Sequence, residues 1–166
     1  MVPADRQRFG GFFALTAREN LTITRLSPHW RRGLLRKGSE RKEGAKWFRV
    51  LDVRPPSAYE QPLGSFSGGN QQKLVLAKWL RTGPKVLLVD EPTQGVDIGA
   101  KAVLHHQILE VARGGAGVLV SSTDTDELAA LCHRIVIFQP GRLVASLSGD
   151  QVTQGRVAHA CVAENL

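Results

Sequence analysis

The sequence predicts an α/β fold with a parallel sheet, because short apolar runs alternate with helical patterns from residue 86 onward. Two runs, VLLVD at 86–90 and VLVSS at 118–122, have the length and branched side chains of strands. A stretch at 98–113 with helical apolar spacing lies between them. Because VLLVD has no polar residue before its final acid, we expect this strand to be covered on both faces.

The front of the chain predicts helices separated by loops. Thr16 followed by Glu19 is a capping-box pattern and predicts a helix that begins there. A second helix is expected at 40–51, after a polar, glycine-containing stretch at 27–39. The prolines within 53–65 interrupt any helix and predict a loop.

Apolar spacing assigns a buried face to the second helix and to a third one at 71–80. The expected buried positions are Trp47, Phe48 and Leu51 in one, and Leu76, Ala77 and Leu80 in the other. Lys78 and Arg81 are expected nearer to water. A helix at 124–132, a strand at 135–138, a turn at 140–141 and a strand at 143–147 complete the pattern.

Composition favours a globular protein of one domain. The chain has 166 residues, of which 42% are hydrophobic, and Cys132 is expected as a buried thiol. No apolar run reaches the roughly 18 residues that cross a bilayer, and the first residues lack a signal-peptide core. The sequence therefore predicts a cytoplasmic protein.

The positive charge is confined to the front of the chain. The net charge is +7, whereas residues 1–50 alone carry +8 and residues 51–166 carry −1. We interpret this surface as a solvated basic face, with a surface near anionic lipid headgroups as the alternative. A nucleic-acid-binding domain is a remote alternative, because no base-stacking or groove-reading element accompanies the charge.

Ser67, Gly68 and Gly69 immediately precede the helix predicted at 71–80. Unpaired N–H groups and the helix dipole favour an anion at such a helix start, and glycines allow the backbone to approach it closely. The three residues therefore indicate a phosphate site, although an ordinary loop and N-cap has the same pattern.

Two acids end the apolar strand at 86–90. Asp90 and Glu91 are expected at the carboxyl edge of the sheet, where α/β proteins bind ligands. Asp90 suits a magnesium ion held through water, and Glu91 suits a base that polarises a water attacking a γ-phosphate. A turn or helix start is the alternative interpretation of these acids alone.

Together these residues resemble the ATP-binding subunits of ABC transporters. FSGGN at 66–70 is similar to the family's signature motif, VLLVDEP at 86–92 to Walker B, and GVD at 95–97 to the D-loop. VPADR, AREN, GGNQQK and DEPTQGVDIGAK are similar to the second nucleotide-binding half of importers of the ribose, galactose, xylose and autoinducer-2 type. The resemblance implies a partial P-loop NTPase core with an α-helical subdomain.

The resemblance also implies ligands and site residues. Ser67, Gly68, Gly69 and Asn70 would contact the γ-phosphate of ATP held mainly by another nucleotide-binding half, and Asp97 would be the D-loop residue. Asp90 would hold Mg²⁺, Glu91 would be the general base, and Ser122 stands at the family's switch-histidine position.

The implied partners are a complete nucleotide-binding half, a transmembrane permease and, indirectly, a periplasmic or extracellular solute-binding protein. This predicts a peripheral position on the inner face of the cell membrane and a role in coupling ATP hydrolysis to import of a sugar or similar small polar solute. No nucleic-acid partner is expected.

The phosphate loop G-x-x-x-x-G-K-[ST] does not occur in these 166 residues. Ala4 falls at about the position of the family's Q-loop glutamine, so we expect a C-terminal piece truncated before that loop. Its expected parts are a helical subdomain at about 10–82, an α/β core at about 83–150 and a tail at 151–166. A chain that only binds partners, and hydrolyses little ATP alone, is the alternative function.

Overall fold

A computed structural model describes residues 1–162, which divide into one unit from Met1 to Leu119 and a second unit from Val120 onward. The α-helices are α1 Ala17–Thr22, α2 Lys37–Val50, α3 Gly68–Leu80, α4 Ile98–Arg113, α5 Thr125–Leu131 and α6 Gln154–Val162. The strands are β1 Trp30–Arg31, β2 Leu34–Leu35, β3 Val86–Asp90, β4 Gly117–Ser121, β5 Arg134–Gln139 and β6 Arg142–Ser148. In this described part of the chain, no helix has the length and apolarity needed to span a membrane.

The helix predicted at Thr16 is α1, and its capping box is formed. The Glu19 N–H donates to Thr16 Oγ1 at 3.1 Å, and the Thr16 N–H donates to Glu19 Oε2 at 2.9 Å. The helix ends after six residues and is almost wholly buried between α2 and α3. A short helix is marginal by itself, so its packing stabilises it.

Helix α3 lies at the centre of the first unit's core. Leu74 and Ala77 of α3 pack with Phe48 of α2 and with Leu51, the C-cap residue of α2, which confirms the burial predicted for these two positions. The Phe66 ring, just before α3, meets the Phe48 ring edge-on with centroids 5.9 Å apart. This packing fixes the entry of α3.

The prediction that Lys78 and Arg81 lie near water is wrong. Lys78 is 7% exposed, and its ammonium donates to the carbonyl of Gly10. Burial lowers the pKa of Lys78. The Arg81 side chain is 1% exposed and forms an ion pair with Glu43 at 2.8 Å. Because α3 is enclosed on all sides, these polar groups have partners inside the protein.

Strand β3 has neighbours on both sides. It is hydrogen-bonded to β4 in a two-stranded sheet, and the Gly117 N–H donates to the carbonyl of Lys85 at 2.9 Å. On its other side Val2 pairs with Val89 in parallel, and the Val2 N–H donates to the carbonyl of Leu88 at 2.8 Å. The parallel pairing and the bounds predicted for β3 are confirmed.

Coverage of β3 on both faces is a wrong prediction. Leu87 and Val89 are each 2% exposed, whereas Val86 is 67% and Leu88 is 40% exposed. Successive strand residues face opposite sides of a sheet, so one face is covered and the other is open. On β4, Leu119 is also 66% exposed.

The second unit contains an antiparallel hairpin rather than a continuation of parallel pairing. Strands β5 and β6 pair from Arg134 opposite Ser148 to Gln139 opposite Arg142. The predicted turn at 140–141 allows no parallel crossover, because such a connection needs a dozen or more residues. Helix α6 lies within the segment predicted as a tail, and its Val157 packs with Ile135. The rest of that predicted tail, 163–166, lies outside the described residues.

The structure divides the chain after Leu119. The structure groups α1, α2 and α3 with β3 and α4 in the first unit. A helical subdomain at about 10–82 and an α/β core at about 83–150 stay predictions. The residues that carry the candidate site, apart from Ser122, belong to the first unit.

Candidate functional site

The start of α3 leaves a serine hydroxyl available. We call residues 67–70 the serine–glycine turn. Ser67 is the N-cap of α3, has an extended backbone (φ −60°, ψ 156°) and makes no side-chain capping bond. It is exposed. The first N–H groups of an α-helix have no acceptor inside the helix, so the turn offers N–H groups and a hydroxyl to an anion.

The glycines of this turn allow close contact within the chain. A Cβ at Gly68 would lie 2.7 Å from Arg6 Nη2. A Cβ at Gly69 would lie 3.1 Å from Asp97 Oδ2 and 3.1 Å from the Cβ of Ala100. Sequence reasoning assigned these glycines to the approach of an anion, whereas the structure shows that they also let the start of α4 lie against the turn.

The polar run that follows Gly69 fixes four loop carbonyls. Each of four consecutive side chains donates to one backbone oxygen: Asn70 to Arg54 at 3.1 Å, Gln71 to Phe66 at 2.7 Å, Gln72 to Pro92 at 2.9 Å and Lys73 to Asp52 at 3.0 Å. The bond from Gln72 reaches the loop that follows β3. Sequence reasoning did not identify these roles, because all four acceptors are backbone carbonyls, which every residue type has.

A cleft of about 310 Å³ lies beside the serine–glycine turn. Its lining comes from three segments, and the residues are Asp52, Arg54, Ser67, Gly69, Asn70, Lys73, Asp97, Gly99, Ala100 and Val103. Two cations, Arg54 and Lys73, and two carboxylates, Asp52 and Asp97, therefore border it, and Asp52 forms an ion pair with Arg54 at 2.8 Å. The structure thus brings together four of the predicted site residues: Ser67, Gly69, Asn70 and Asp97.

Asp97 begins α4 on the far wall of this cleft. Its Oδ1 accepts the Ala100 N–H at 2.8 Å as an N-cap. This backbone hydrogen bond holds the pKa of Asp97 below its usual value. The residue is an exposed carboxylate with a lowered pKa, so it is ionised at neutral pH.

Asp90 ends β3 and Glu91 follows it, and neither belongs to the lining of the cleft. The Asp90 N–H donates to the carbonyl of Val2 at 2.9 Å. Glu91 has a left-handed backbone, with φ of 46°, which is uncommon for a residue other than glycine. Such a conformation is costly and often marks a functional turn.

Arg6 links the front of the chain to this site, and sequence reasoning missed it. Its Nη1 donates to the carbonyl of Gln94 at 3.0 Å. The same guanidinium lies beside Gly68 and Gly95, and its Nε is buried without a hydrogen-bond partner. Arg6 is therefore positioned between the serine–glycine turn and the loop before α4.

Ser122 lies in the second unit, where a buried acid engages it. Its hydroxyl donates to Glu127 Oε2 at 2.7 Å and accepts the Asp124 N–H at 3.1 Å. Glu127 is only 1% exposed. His133, which follows α5, is exposed. No group of three or more His, Cys, Asp or Glu side chains that could hold a metal ion occurs within residues 1–162.

A comparison with family models matches residues 5–94 to the family described as "ABC transporter". This range holds the serine–glycine turn, β3 and the acids after it, and it covers more than half of the chain. The chain belongs to the ABC transporter family. The serine–glycine turn and β3 with Asp90 and Glu91 lie within the matched range, and their assignment to the family's signature and Walker B motifs stays a prediction.

Curated relatives of this ABC family member are sugar import proteins. A ribose import ATP-binding protein of Streptomyces coelicolor is 39% identical over 160 residues, which are 96% of this chain and 32% of the relative. One of Rhizobium etli is 35% identical over 98% of this chain and 31% of the relative. A putative ribose/galactose/methyl galactoside import ATP-binding protein of Agrobacterium fabrum is 37% identical. The chain spans about a third of the length of these relatives.

Solved structures show the same ABC fold. A nucleotide-free ATP-binding cassette superposes with a TM-score of 0.73 at 22% identity, over 98% of this chain and 66% of the cassette. A dimeric cassette bound to ADP and phosphate has a TM-score of 0.70 at 24% identity, over 86% of this chain. At these identities the comparison supports the fold, which is the predicted P-loop NTPase type.

Proposed function

We propose that this chain is part of the ATP-binding component of an importer for a sugar or a similar small polar solute. In this proposal Ser67, Gly68, Gly69 and Asn70 contact ATP that is held mainly by another nucleotide-binding half. The observation that carries the proposal is Ser67, which is exposed at the start of α3 and whose hydroxyl makes no capping hydrogen bond. It lines a cleft to which Asp90 and Glu91 do not contribute. Two relatives, at 39% and 35% identity, are ribose import ATP-binding proteins.

The residues of the cleft fit one anionic group. The dipole of the 13-residue helix α3 favours negative charge at its N-terminus, and Lys73 and Arg54 border the same cleft. Asp52 offsets the charge of Arg54, with which it forms an ion pair at 2.8 Å, and Asp97 opposes an anion on its side of the cleft. The helix start and Lys73 therefore favour a phosphate at Ser67 rather than elsewhere in the cleft. ATP with Mg²⁺ supplies the phosphate and the hydrolysis energy, while the residues of this chain bind and orient it.

Asp90 and Glu91 have a separate role in this proposal. Asp90 would hold Mg²⁺ through water, and Glu91 would act as general base at a site that also needs a phosphate loop. Ser122, whose hydroxyl donates to Glu127 at 2.7 Å, would take the family's switch-histidine position. A second candidate function, binding of a partner half without hydrolysis, is favoured by one observation: no G-x-x-x-x-G-K-[ST] occurs in the sequence.

The full assembly follows from the same proposal. The chain would act with a complete nucleotide-binding half and a transmembrane permease on the cytoplasmic face of the membrane. A periplasmic or extracellular solute-binding protein would deliver the solute. The import function of the named relatives supports this arrangement.

The test measures steady-state ATP hydrolysis by a complete partner half with and without this chain. We expect the chain to stimulate ATP hydrolysis by the partner. Ser67→Arg should abolish that stimulation, because the long arginine side chain would fill the space that the phosphate needs. Ser65→Arg is the matched control, since Ser65 is also exposed but lies outside the cleft. Circular dichroism verifies that both variants fold.

The two candidate functions differ in the outcome of this test. Stimulation that survives Ser67→Arg would reduce the serine–glycine turn to a structural loop. Binding of the partner half without any stimulation would favour the partner-binding role instead. For the chain alone we expect hydrolysis well below about 1 per second, and turnover near that rate that vanished in Glu91→Gln would contradict the shared-site proposal.

A further inference from the structure

An exposed hairpin extends from the first unit between α1 and α2. Strands β1 and β2 pair with Trp30 opposite Leu35 and Arg31 opposite Leu34. The connecting Arg32 and Gly33 have left-handed φ angles of 51° and 79°, as in a two-residue hairpin turn. We call residues 30–37 the basic hairpin. Every one of them is exposed, with Trp30 at 56% and Leu34 at 73%.

The basic hairpin is held in place at its base. The Arg36 N–H donates to the carbonyl of His29 at 2.8 Å. The His29 ring is 2% exposed, and its Nδ1 lies 2.9 Å from Ser39 Oγ. The exposed side chains are therefore carried on a fixed support rather than on an unstructured loop.

The charge on this surface has one sign. Four cations belong to the basic hairpin, and within residues 1–162 none of them forms an ion pair: Arg31, Arg32, Arg36 and Lys37. The nearest carboxylates along the chain are turned inward. Glu40 is bound to buried Arg18 at 3.0 Å, and Glu43 is bound to Arg81 at 2.8 Å. The hairpin surface is consequently positive without local compensation.

We infer that the basic hairpin docks on the anionic headgroup region of a phospholipid bilayer. Guanidinium groups bind phosphate with charge-assisted hydrogen bonds, and clusters of cations bind anionic lipid surfaces. An exposed Trp with exposed Leu residues suits the interface, where an amphipathic ring and apolar chains enter the headgroup boundary. The inference is independent of the proposed function, because it requires neither nucleotide nor a partner subunit.

A bilayer fits the basic hairpin better than a nucleic acid does. Single-stranded nucleic acids are bound by several aromatic rings in a basic groove, whereas this hairpin has Trp30 alone. Exposed Leu34 and Leu35 add nothing to contact with a phosphate backbone. At a lipid interface, in contrast, they gain from leaving water.

The experiment is sedimentation of the full chain with vesicles of phosphatidylcholine alone and of equal parts phosphatidylcholine and phosphatidylglycerol. We expect binding only to the anionic vesicles, weakened by added salt. Each lost cation costs about fivefold in affinity, so Arg31→Gln with Arg36→Gln should weaken binding about 25-fold. Trp30→Ser should also weaken it. The matched control is Lys46→Gln with Arg49→Gln, which removes the same charge from exposed positions near the end of α2.

Each outcome decides the inference. Loss of binding in the two hairpin variants with retention in the control pair supports it. An equal loss of vesicle affinity in the control pair would show that binding depends only on the net charge of the protein, and this would overturn the inference. Absence of anionic-vesicle binding, or an unchanged affinity of either hairpin variant, would also overturn it. Hairpin-dependent binding to single-stranded RNA in place of vesicles would assign the surface to nucleic acid. None of these results depends on ATP hydrolysis, so the proposed function is tested separately.

Discussion

Replacing Glu40 tests the buried ion-pair network that joins α1 to α2. Glu40 is 1% exposed and accepts hydrogen bonds from Arg18 Nη1 at 3.0 Å and from Thr22 Oγ1 at 2.6 Å. Glu40→Ala removes both acceptors and leaves the Arg18 guanidinium buried. Breaking a buried pair from one side costs about 3–5 kcal/mol.

The structure places the expected cost at the lower end of that range. Arg18 keeps Glu60, at 3.1 Å, and the Thr22 hydroxyl can still donate to the carbonyl of Arg18 at 3.1 Å. We therefore expect the free energy of unfolding to fall by about 3 kcal/mol. Glu40→Gln keeps an acceptor and the volume, so it should cost about 1–2 kcal/mol.

The assay is urea unfolding followed by tryptophan fluorescence, because all three Trp residues belong to the first unit. With a slope of roughly 2 kcal/mol per molar urea, Glu40→Ala should lower the midpoint by about 1.5 M. Glu110→Ala is the control. It breaks an ion pair with Arg113 at 2.7 Å whose side chains are 49% and 67% exposed, and should cost no more than about 0.5 kcal/mol. A cost for Glu40→Ala within about 1 kcal/mol of this control would refute the reasoning.

Two further substitutions probe contacts around α3. Gly68→Ala places a Cβ 2.7 Å from Arg6 Nη2, so the Arg6 side chain must move and lose its hydrogen bond to Gln94 in the loop before α4. Hydrogen exchange in that loop should therefore rise. The control is Gly38→Ala, which has open space around its Cβ and should leave the exchange rate of that loop unchanged. Lys78 has a pKa lowered by burial, so the unfolded chain binds more protons and stability rises as the pH approaches 10.5 from below. In urea melts at increasing pH up to about 10.5, Lys78→Met should reduce the rise in the free energy of unfolding. Lys46→Met, at an exposed position, should not reduce it.

The elements with local signals were the predictable ones. Strand β3 and helix α4 have the predicted bounds because Pro84 and Asp90 frame one apolar run and Asp97 caps the other segment. The basic hairpin was not predicted as strands, since its pairing depends on two left-handed residues, of which only Gly33 carries a sequence signal. Antiparallel pairing of β5 and β6 was recoverable from the short turn at 140–141, but the alternating pattern upstream favoured a parallel sheet.

The wrong predictions for Lys78 and Arg81 share a physical cause, which is a partner distant along the chain. Arg81 reaches Glu43 over 38 positions, and Lys78 reaches Gly10 over 68. A polar residue on an amphipathic helix is expected to face water unless such a partner is known. Arg6 was missed for the same reason, because its acceptor at Gln94 lies 88 positions away. The local sequence pattern does not predict contacts between residues so far apart along the chain.

The polar run after Gly69 connects the local chemistry of the candidate site with its contacts to residues distant along the chain. Serine and glycine at a helix start indicate an anion site by local chemistry alone, but local chemistry does not hold the walls of a cleft in place. The side chains of 70–73 do so, because each bonds a backbone carbonyl whose position no residue type specifies. Two of these bonds fix 52–54, and the bond from Gln72 to Pro92 fixes the loop after β3. Helix α3 therefore carries Ser67 at its start and, little more than one turn further on, the side chain that holds the loop after Asp90 and Glu91 in place.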